Sequence, residues 1–557
     1  MKYVYLIFAM LLLQVYSALG QKETEVQREY WAVYDLQKNT ISNFEFFNTN
    51  YGMIGHDLSI GLAGAFWPRD SKNFYLFGGG FWFGAKKEID GETKKIVTLT
   101  YNPSNGRFWF VPGSTKDSDT LEPDKYKKYR CYYSTDFYEQ TGQVKDADDG
   151  PNWPYWITDT KKKYEFGMFK NEYVYDVDDR NPLSYTDGPL FVSDEDIVSI
   201  FKDTDLSQYR SDPDYLKSAG YPIGLQVESK IYSWGAGDLH DVVVQVYEIE
   251  NISDDVIRDC WFSGVYDVEI GFYNQENRPS YSSDFVRYFD EDPSQNMVVA
   301  WSDASSKNAD RGFGYMGLSF IETPAVDDEG FLRTDKLLYE SSEQLGLVTA
   351  EVWNFVTDIR TSELRYDFIS SGNKERNNYS EDIRSNIATG PFHLRPGEKA
   401  SFAIAYVFAM PAKGGEADGT FEDLTGIVQE VGKDGGSILA KKGSLLRKLE
   451  IAREAYYTEL VSSVSEEPNL SLYIKSVYPN PVSNKISIDF TNKLPGYCEI
   501  AIYDLNGKKV RSLMSGPLEA KRHLLDFQIC NQLDNGAYVL KLTIGEESVS
   551  SKIMISH

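Results

Sequence analysis

The segment Ser401–Met410, SFAIAYVFAM, narrows the choice of fold more than any other stretch of this chain. Side chains alternate between the two faces of a strand. Phe402, Ile404, Tyr406, Phe408 and Met410 then share one face, and Ala403, Ala405, Val407 and Ala409 share the other. Both faces are apolar, so the strand needs cover on both sides, which places it inside a layered protein. Three neighbouring runs, IGLQVESKIYSW, HDVVVQVYEIENIS and CWFSGVYDVEIG, read as long strands of a large antiparallel sandwich. The 39 Tyr and 31 Phe suit pleated, half-buried surfaces.

The expected fold class is mainly β: antiparallel β-sandwich domains with one long packing helix, plus a small C-terminal immunoglobulin-like β-sandwich. The helix lies in SLLRKLEIAREAYYTEL. There Leu445, Leu449, Ala452, Tyr456 and Leu460 recur on one face, which packs back on the sandwich. Upstream, FYLFGGGFWFGAKKEIDGETKKIVTLTYN reads as two strands around an Asp90-Gly91 turn. Gly78, Gly79 and Gly80 mark a bulge or a close backbone approach. In SDEDIVSIFKD, Ser193 followed by acids has the form of a helix N-terminus.

At 557 residues the chain exceeds one ordinary core. The expected order is a signal peptide at 1–20, a loop-rich β region at 21–215, a large sandwich with its C-terminal helix at 216–461, a linker at 462–471 and a small domain at 472–557. The first segment, MKYVYLIFAMLLLQVYSALGQ, has an early Lys2, an apolar run and a small-residue end, with cleavage between Gly20 and Gln21. The run falls short of the ~20 apolar residues of a bilayer span. No transmembrane segment is expected in the mature chain.

The last domain stands apart in pattern and charge. Ile486, Ile488 and Phe490 alternate with Lys485, Ser487 and Asp489, and Tyr538, Leu540, Leu542 and Ile544 repeat the period. Asn506-Gly507 and Asn535-Gly536 are hairpin-type turns. From residue 472 onward there are 10 Lys/Arg against 8 Asp/Glu, in a chain of net charge −27. The motifs VYPNPVSNKISIDF, EIAIYDLNGKKVRSL, HLLDF, LDNGAYVLKL and KIMISH occur here in order. They resemble the C-terminal sorting domain, type A, of type IX secretion cargo in Bacteroidota. The motif positions carried over are Tyr478, Pro479, Asn480, Pro481, Asp504, Asn506, Gly507, Asn535, Gly536 and Tyr538. The resemblance implies export to the periplasm, recognition of the tail by the type IX machinery at the outer membrane, and removal of the tail. The passenger is then secreted or attached at the cell surface. Upstream, FWPRDSKNFYLFGGGFWFGA, YPIGLQV, YEIENIS, GVYDVEIG and LRPGEKASFAIAYVFA resemble uncharacterised passengers of such tails, which implies no activity.

Chemistry is harder to find. The acidic balance speaks against nucleic acid, which needs a basic footprint, and allows cations. Gly312, Gly314 and Gly317 match GxGxxG, but LSFIETP after them reads as strand and not as the helix a dinucleotide site needs. No GxSxG or HExxH occurs, and the five His lack metal spacing. No catalytic residue is assigned. A structural calcium is the ligand considered: in KDTDLSQYRSDPD, Asp203, Asp205, Ser207 and Asp214 resemble an EF-hand loop, although Gln208 stands where the turn glycine belongs. Solvated acidic loops are the alternative. Four cysteines remain, Cys131, Cys260, Cys498 and Cys530. Cys498 with Cys530 is the favoured disulfide because both lie in the tail, with free buried thiols as the other reading. The expected function is a structural or adhesive surface protein that binds glycan or protein. The rival is a secreted polysaccharide-acting hydrolase, whose paired carboxylates cannot be picked out among 84 Asp/Glu.

Overall fold

A computed structural model describes residues 35–57, 62–102, 110–115, 129–133, 163–166, 169–174, 193–206, 213–272, 284–302, 313–333, 339–357, 359–376, 382–427, 440–463, 472–478, 482, 485–492, 495–504, 508–529, 533, 536–545 and 547–555. It divides into two compact units, Met1–Leu460 and Val461–His557. Among the described residues no helix is long and apolar enough to cross a membrane.

In the first unit, Asn73–Ile89 (β1) and Glu92–Leu99 (β2) form the expected hairpin. Asp90 and Gly91 turn with φ of 53° and 81°. Two successive positive φ values are the geometry that matches the twist of paired strands. The chain continues through Glu195–Lys202 (β3), Leu225–Ser233 (β4), Val242–Asn251 (β5), Ile257–Phe272 (β6), Asp284–Tyr288 (β7), Met297–Ser302 (β8) and Tyr315–Glu322 (β9). Helix Ser362–Ile369 (α1), strands Ile383–Leu394 (β10) and Lys399–Ala409 (β11), and helix Leu445–Ser463 (α2) follow.

One sheet runs Leu36–Lys38, Glu45–Thr49, Ala65–Phe66, β1, β6, β10, Val352–Asn354, with β2 also on β1. The other runs β7, β8, β9, β11, β5, β4, β3, Val111–Pro112, with Tyr132–Tyr133 also on β3. β1 pairs with β6, and β3 with β4. Strands from both sides of residue 215 therefore share both sheets, and the division expected at 215/216 runs through them. Long-range strand pairing of this kind leaves no local mark in a sequence.

β11 behaves as its alternation predicts. Phe402, Ile404, Tyr406 and Phe408 enter a core shared with Phe81, Phe262 and Tyr266 of the facing sheet. Phe262 and Phe402 stack with centroids 4.2 Å apart. Ala403, Ala405, Val407 and Ala409 face a second core with Leu445, Leu449, Ala452 and Tyr456 of α2. Small side chains on that face let the helix lie close. Met410 falls just past the strand and is partly exposed, and the side chain of Leu460 lies outside the described residues.

The segment read as a helix start after Ser193 is instead β3, buried at all positions. Ile197, Val198, Ile200 and Phe201 fill both of its faces, and their β-branched and aromatic shapes favour a strand. The acids that suggest a first helical turn are engaged by backbone N–H groups instead. Glu195 accepts the Thr40 N–H at 2.7 Å and Asp196 the Ser193 N–H at 2.9 Å. Ser193 Oγ donates to Glu195 O and accepts from Ser233 N, which closes the strand pair.

The second unit is a sandwich of seven strands: Leu472–Tyr478 (β12), Lys485–Asn492 (β13), Gly496–Tyr503 (β14), Lys509–Leu518 (β15), Lys521–Gln528 (β16), Gly536–Ile544 (β17) and Glu547–Ile555 (β18). Three form the sheet β12-β13-β16 and four the sheet β15-β14-β17-β18. Ile486, Ile488, Phe490, Leu540, Leu542 and Ile544 meet in its core, as their alternation predicts. A 3+4 antiparallel sandwich is the immunoglobulin-like architecture.

Candidate functional site

The glycine run of β1 sets up the most unusual site among the described residues. Gly78 lies opposite Asp267 of β6, and the register slips just beyond this pair. A Cβ on Gly78 would lie 2.7 Å from Tyr101 Cε2, and one on Gly80 would lie 2.8 Å from Tyr101 Cβ. The run thus provides both the bulge and the close approach expected of it. Tyr101 uses the space to cross the sheet and donate its hydroxyl to Asp267 Oδ2 at 3.0 Å.

Asp267 and Glu269 stand two positions apart on β6 and so share a face. Arg384 of β10 is the cross-strand partner of Asp267, and its Nη2 lies 3.2 Å from Asp267 Oδ2. Its Nη1 lies 3.5 Å from Asp382 Oδ1. One step beyond the last register pair, Val268 with Ile383, Glu269 comes opposite Asp382. Carboxylate oxygens of Asp267, Glu269 and Asp382 all lie within 4.8 Å of one another. Asp284, the first residue of β7, adds a fourth carboxylate from the other sheet and accepts the Ile270 N–H at 3.0 Å.

The electrostatics are lopsided: four carboxylates face one guanidinium. Asp267, Glu269 and Asp284 are 2%, 4% and 0% exposed. Burial, then the charges of Asp267, Asp382 and Asp284, push the Glu269 carboxyl up to about 9 against the pull of Arg384. Burial likewise pushes Asp284 well above the carboxylate range. Glu269 Oε2 and Asp284 Oδ2 are buried without a hydrogen-bond partner. Such a cluster either retains protons at neutral pH or gathers a hard cation.

The residues singled out from the sequence lie elsewhere. Asp203 is buried at the end of β3, where its carboxylate accepts N–H groups of Ile223, Gly224 and Leu225 at 3.0, 3.1 and 2.7 Å. Asp205 is buried nearby in the chain. Ser207 lies outside the described residues, as does the side chain of Asp214. The segment before Asp203 is a strand, not the entering helix of an EF-hand. Cys498, expected to pair with Cys530, carries a free buried thiol, as do Cys131 and Cys260. Its cross-strand partners are Gly516 and Ile544, and Cys530 lies outside the described residues. His56, His240 and His523 each bond a backbone carbonyl, of Phe77, Ile41 and Glu519. Gly317 sits within β9, the strand expected there, and Gly312 is outside the described residues.

In the second unit Asp504 closes the β14–β15 hairpin. Its N–H donates to Lys508 O and its Oδ1 accepts from Lys508 N, both at 2.9 Å. Gly536 opens β17, and Tyr538 packs half-buried against the core. Tyr478 ends β12, while Pro479, Asn480, Pro481, Asn506, Gly507 and Asn535 lie outside the described residues, as do Gly20 and Gln21. Val482, directly after the YPNP motif, is fully buried and bridges in parallel to Ile555.

Residues 476–556 match the family model described as the secretion system C-terminal sorting domain. No curated protein sequence matches this chain. Solved structures similar to it include a polysaccharide lyase, 10% identical over 94% of this chain and 46% of that one, with a TM-score of 0.21. Another is the Faecalibacterium prausnitzii beta-glucuronidase, 12% identical over 49% of this chain and 45% of that one, with a TM-score of 0.12. The chain spans about half the length of each, and at these scores neither likeness carries an argument. The tail carries one: with its motifs in order and its seven strands closed into a separate sandwich, residues 476–556 are a C-terminal sorting domain, and the chain is type IX secretion cargo, carried out of the cell or held at its surface.

Proposed function

We propose that the passenger is a structural or adhesive binding protein of the cell surface or its surroundings, engaging a glycan or a protein. A signal peptide ending at Gly20 takes the chain to the periplasm, and the tail then takes it across the outer membrane. The observation that supports binding over hydrolysis is the burial of the clustered carboxylates. A glycosidase pair must flank a cleft that admits a sugar chain, whereas Asp267, Glu269 and Asp284 are closed off from solvent. Among the described residues, two surface depressions each hold one carboxylate. One, of about 650 Å³, holds Glu363 beside Lys94, Lys95 and Ser362. The other, of about 250 Å³, holds Asp241 beside Trp67 and Lys448. In the second, Asp241 is already bonded to Lys448 Nζ at 2.5 Å and to Trp67 Nε1 at 2.8 Å.

The second reading, a polysaccharide-acting hydrolase, draws on Glu269, whose carboxyl is pushed up to about 9 by burial and its acidic neighbours, the direction a general acid needs, and requires an opening that brings this buried group to a sugar chain. The test is to incubate the secreted protein with a panel of soluble and insoluble bacterial and plant polysaccharides and with whole cells. Retention without new reducing ends is the expected result. Release of oligosaccharides that is lost in Glu269→Gln would overturn the binding reading in favour of the hydrolase.

A further inference from the structure

We propose that Asp267, Glu269 and Asp382, with Asp284 beside them, form a binding site for one divalent cation of the calcium type. The proposal is independent of what the passenger binds and involves none of the acids of residues 203–214.

Three features of the geometry point to an ion. The first is convergence: oxygens of three carboxylates come within 4.8 Å of one another. A cation with bonds of about 2.3–2.6 Å spans such a set from its centre. The second is Glu269. It is 4% exposed, its Oε2 has no hydrogen-bond partner, and one of its carboxylate oxygens is in the convergent set. A buried carboxylate left without a donor is strongly destabilising unless something compensates it. The third is Asp284. It approaches from the other sheet and is fully buried; Oδ1 holds the Ile270 N–H and the Ser302 side chain also bonds the carboxylate, while Oδ2 is buried without a geometric partner.

The donor chemistry selects the ion. The set is all carboxylate, without a His or Cys, which suits a hard cation and not zinc or copper. Arg384 covers part of the charge, through Asp267 Oδ2 and Asp382 Oδ1. That leaves up to three negative charges for a divalent ion to offset. The site would also do mechanical work, since β6 and β10 belong to one sheet and β7 to the other. A cation there fastens the two layers at one end, and a protein working outside the cell meets calcium at concentrations that fill sites of modest affinity.

The experiment uses the purified full chain, stripped with EDTA and dialysed free of metal. It is titrated with terbium, read by emission sensitised through nearby aromatic rings, and then with calcium alone, read by displacement and by Tm. The prediction is saturable terbium binding that calcium displaces, and a Tm that rises with calcium. Glu269→Gln and Asp382→Asn should each weaken binding at least about tenfold and abolish the calcium-dependent rise in Tm. Glu269→Gln should also melt higher than the unsubstituted chain without metal, because a buried, repelled carboxyl is gone. Asp382 is only half-buried, so its variant keeps the test open if Glu269→Gln fails to fold. Absence of binding up to about 10 mM calcium, well above the weakest extracellular sites, would overturn the proposal. So would a calcium-dependent rise in Tm that survives in both variants.

Discussion

Tyr101 donates its hydroxyl to Asp267 Oδ2 at 3.0 Å, and its ring lies over Gly78, the strand position opposite that aspartate. A glycine that reads in sequence as a flaw in a strand is what lets an aromatic side chain reach a buried carboxylate. Composition, pairing and electrostatics meet at this one contact.

Gly78→Ala should therefore destabilise the protein although alanine is small. Its Cβ would stand 2.7 Å from Tyr101 Cε2 and 3.0 Å from Cζ. Overpacking of this kind costs about 1–3 kcal/mol, and the displaced ring would also lose its bond to Asp267. Urea unfolding of the full chain measures the first effect. The pair Gly78→Ala and Tyr101→Phe, alone and combined, measures the second, and non-additivity is expected.

Asp203 gives a pH dependence with a defined sign. Burial raises its carboxyl from 3.8 to about 6 in the folded state, against the backbone N–H groups of Leu225, Gly224 and Ile223 and the charge of Lys87. A folded pKa above the unfolded one favours the folded state while the group is protonated. That contribution is complete below pH ~4 and is lost as pH rises through ~6. A rise from 3.8 to about 6 corresponds to about 3 kcal/mol. The difference in unfolding free energy between the unsubstituted chain and Asp203→Asn should fall by about that amount from pH 4 to pH 7. A difference that stays flat would mean that Asp203 ionises as readily folded as unfolded.

The helix on the second core predicts a plain cavity effect. Leu449 of α2 is fully buried among Ala403, Ala405 and Val407. Leu449→Ala should cost about 2–5 kcal/mol, read as a lower urea midpoint with unchanged slope. Glu454→Ala on the exposed side of the same helix should change stability by less than about 0.5 kcal/mol.

Much of this was legible in advance where the signal is periodic. The two apolar faces of Phe402–Ala409, the Leu445–Tyr456 helix stripe, the Asp90-Gly91 turn and the alternation of Ile486–Phe490 each follow from local spacing. The segment after Ser193 shows the limit: acids near Ser193 suit a helix N-terminus, but paired with β4 they become strand residues bonded to Thr40 and Ser193. The acidic cluster was out of reach for a different reason. Its members stand at positions 267, 269, 284 and 382, and only the β6–β10 register and the approach of β7 unite them. A faint trace existed. Asp267 and Glu269 alternate with Tyr266, Val268 and Ile270 in a strand with no reason to carry charge on a covered face. The EF-hand-like spacing of Asp203 and Asp205 lies instead in a run whose Asp203 carboxylate serves backbone N–H groups.

Passage across the outer membrane should depend on the tail. Removal of residues 472–557 takes away a unit with its own core and leaves the passenger strands intact. The truncated protein should accumulate in the periplasm, folded and resistant to protease. Normal delivery to the surface without the tail would contradict its role as an address.

The most direct test of the whole account is mass spectrometry of the native protein, recovered separately from culture medium and from surface-exposed membrane. The expected product begins at Gln21 and ends within residues 462–471, with its distribution separating release from attachment. A soluble extracellular protein that retains residues 472–557 would contradict it, and would make the tail a working domain of the secreted molecule.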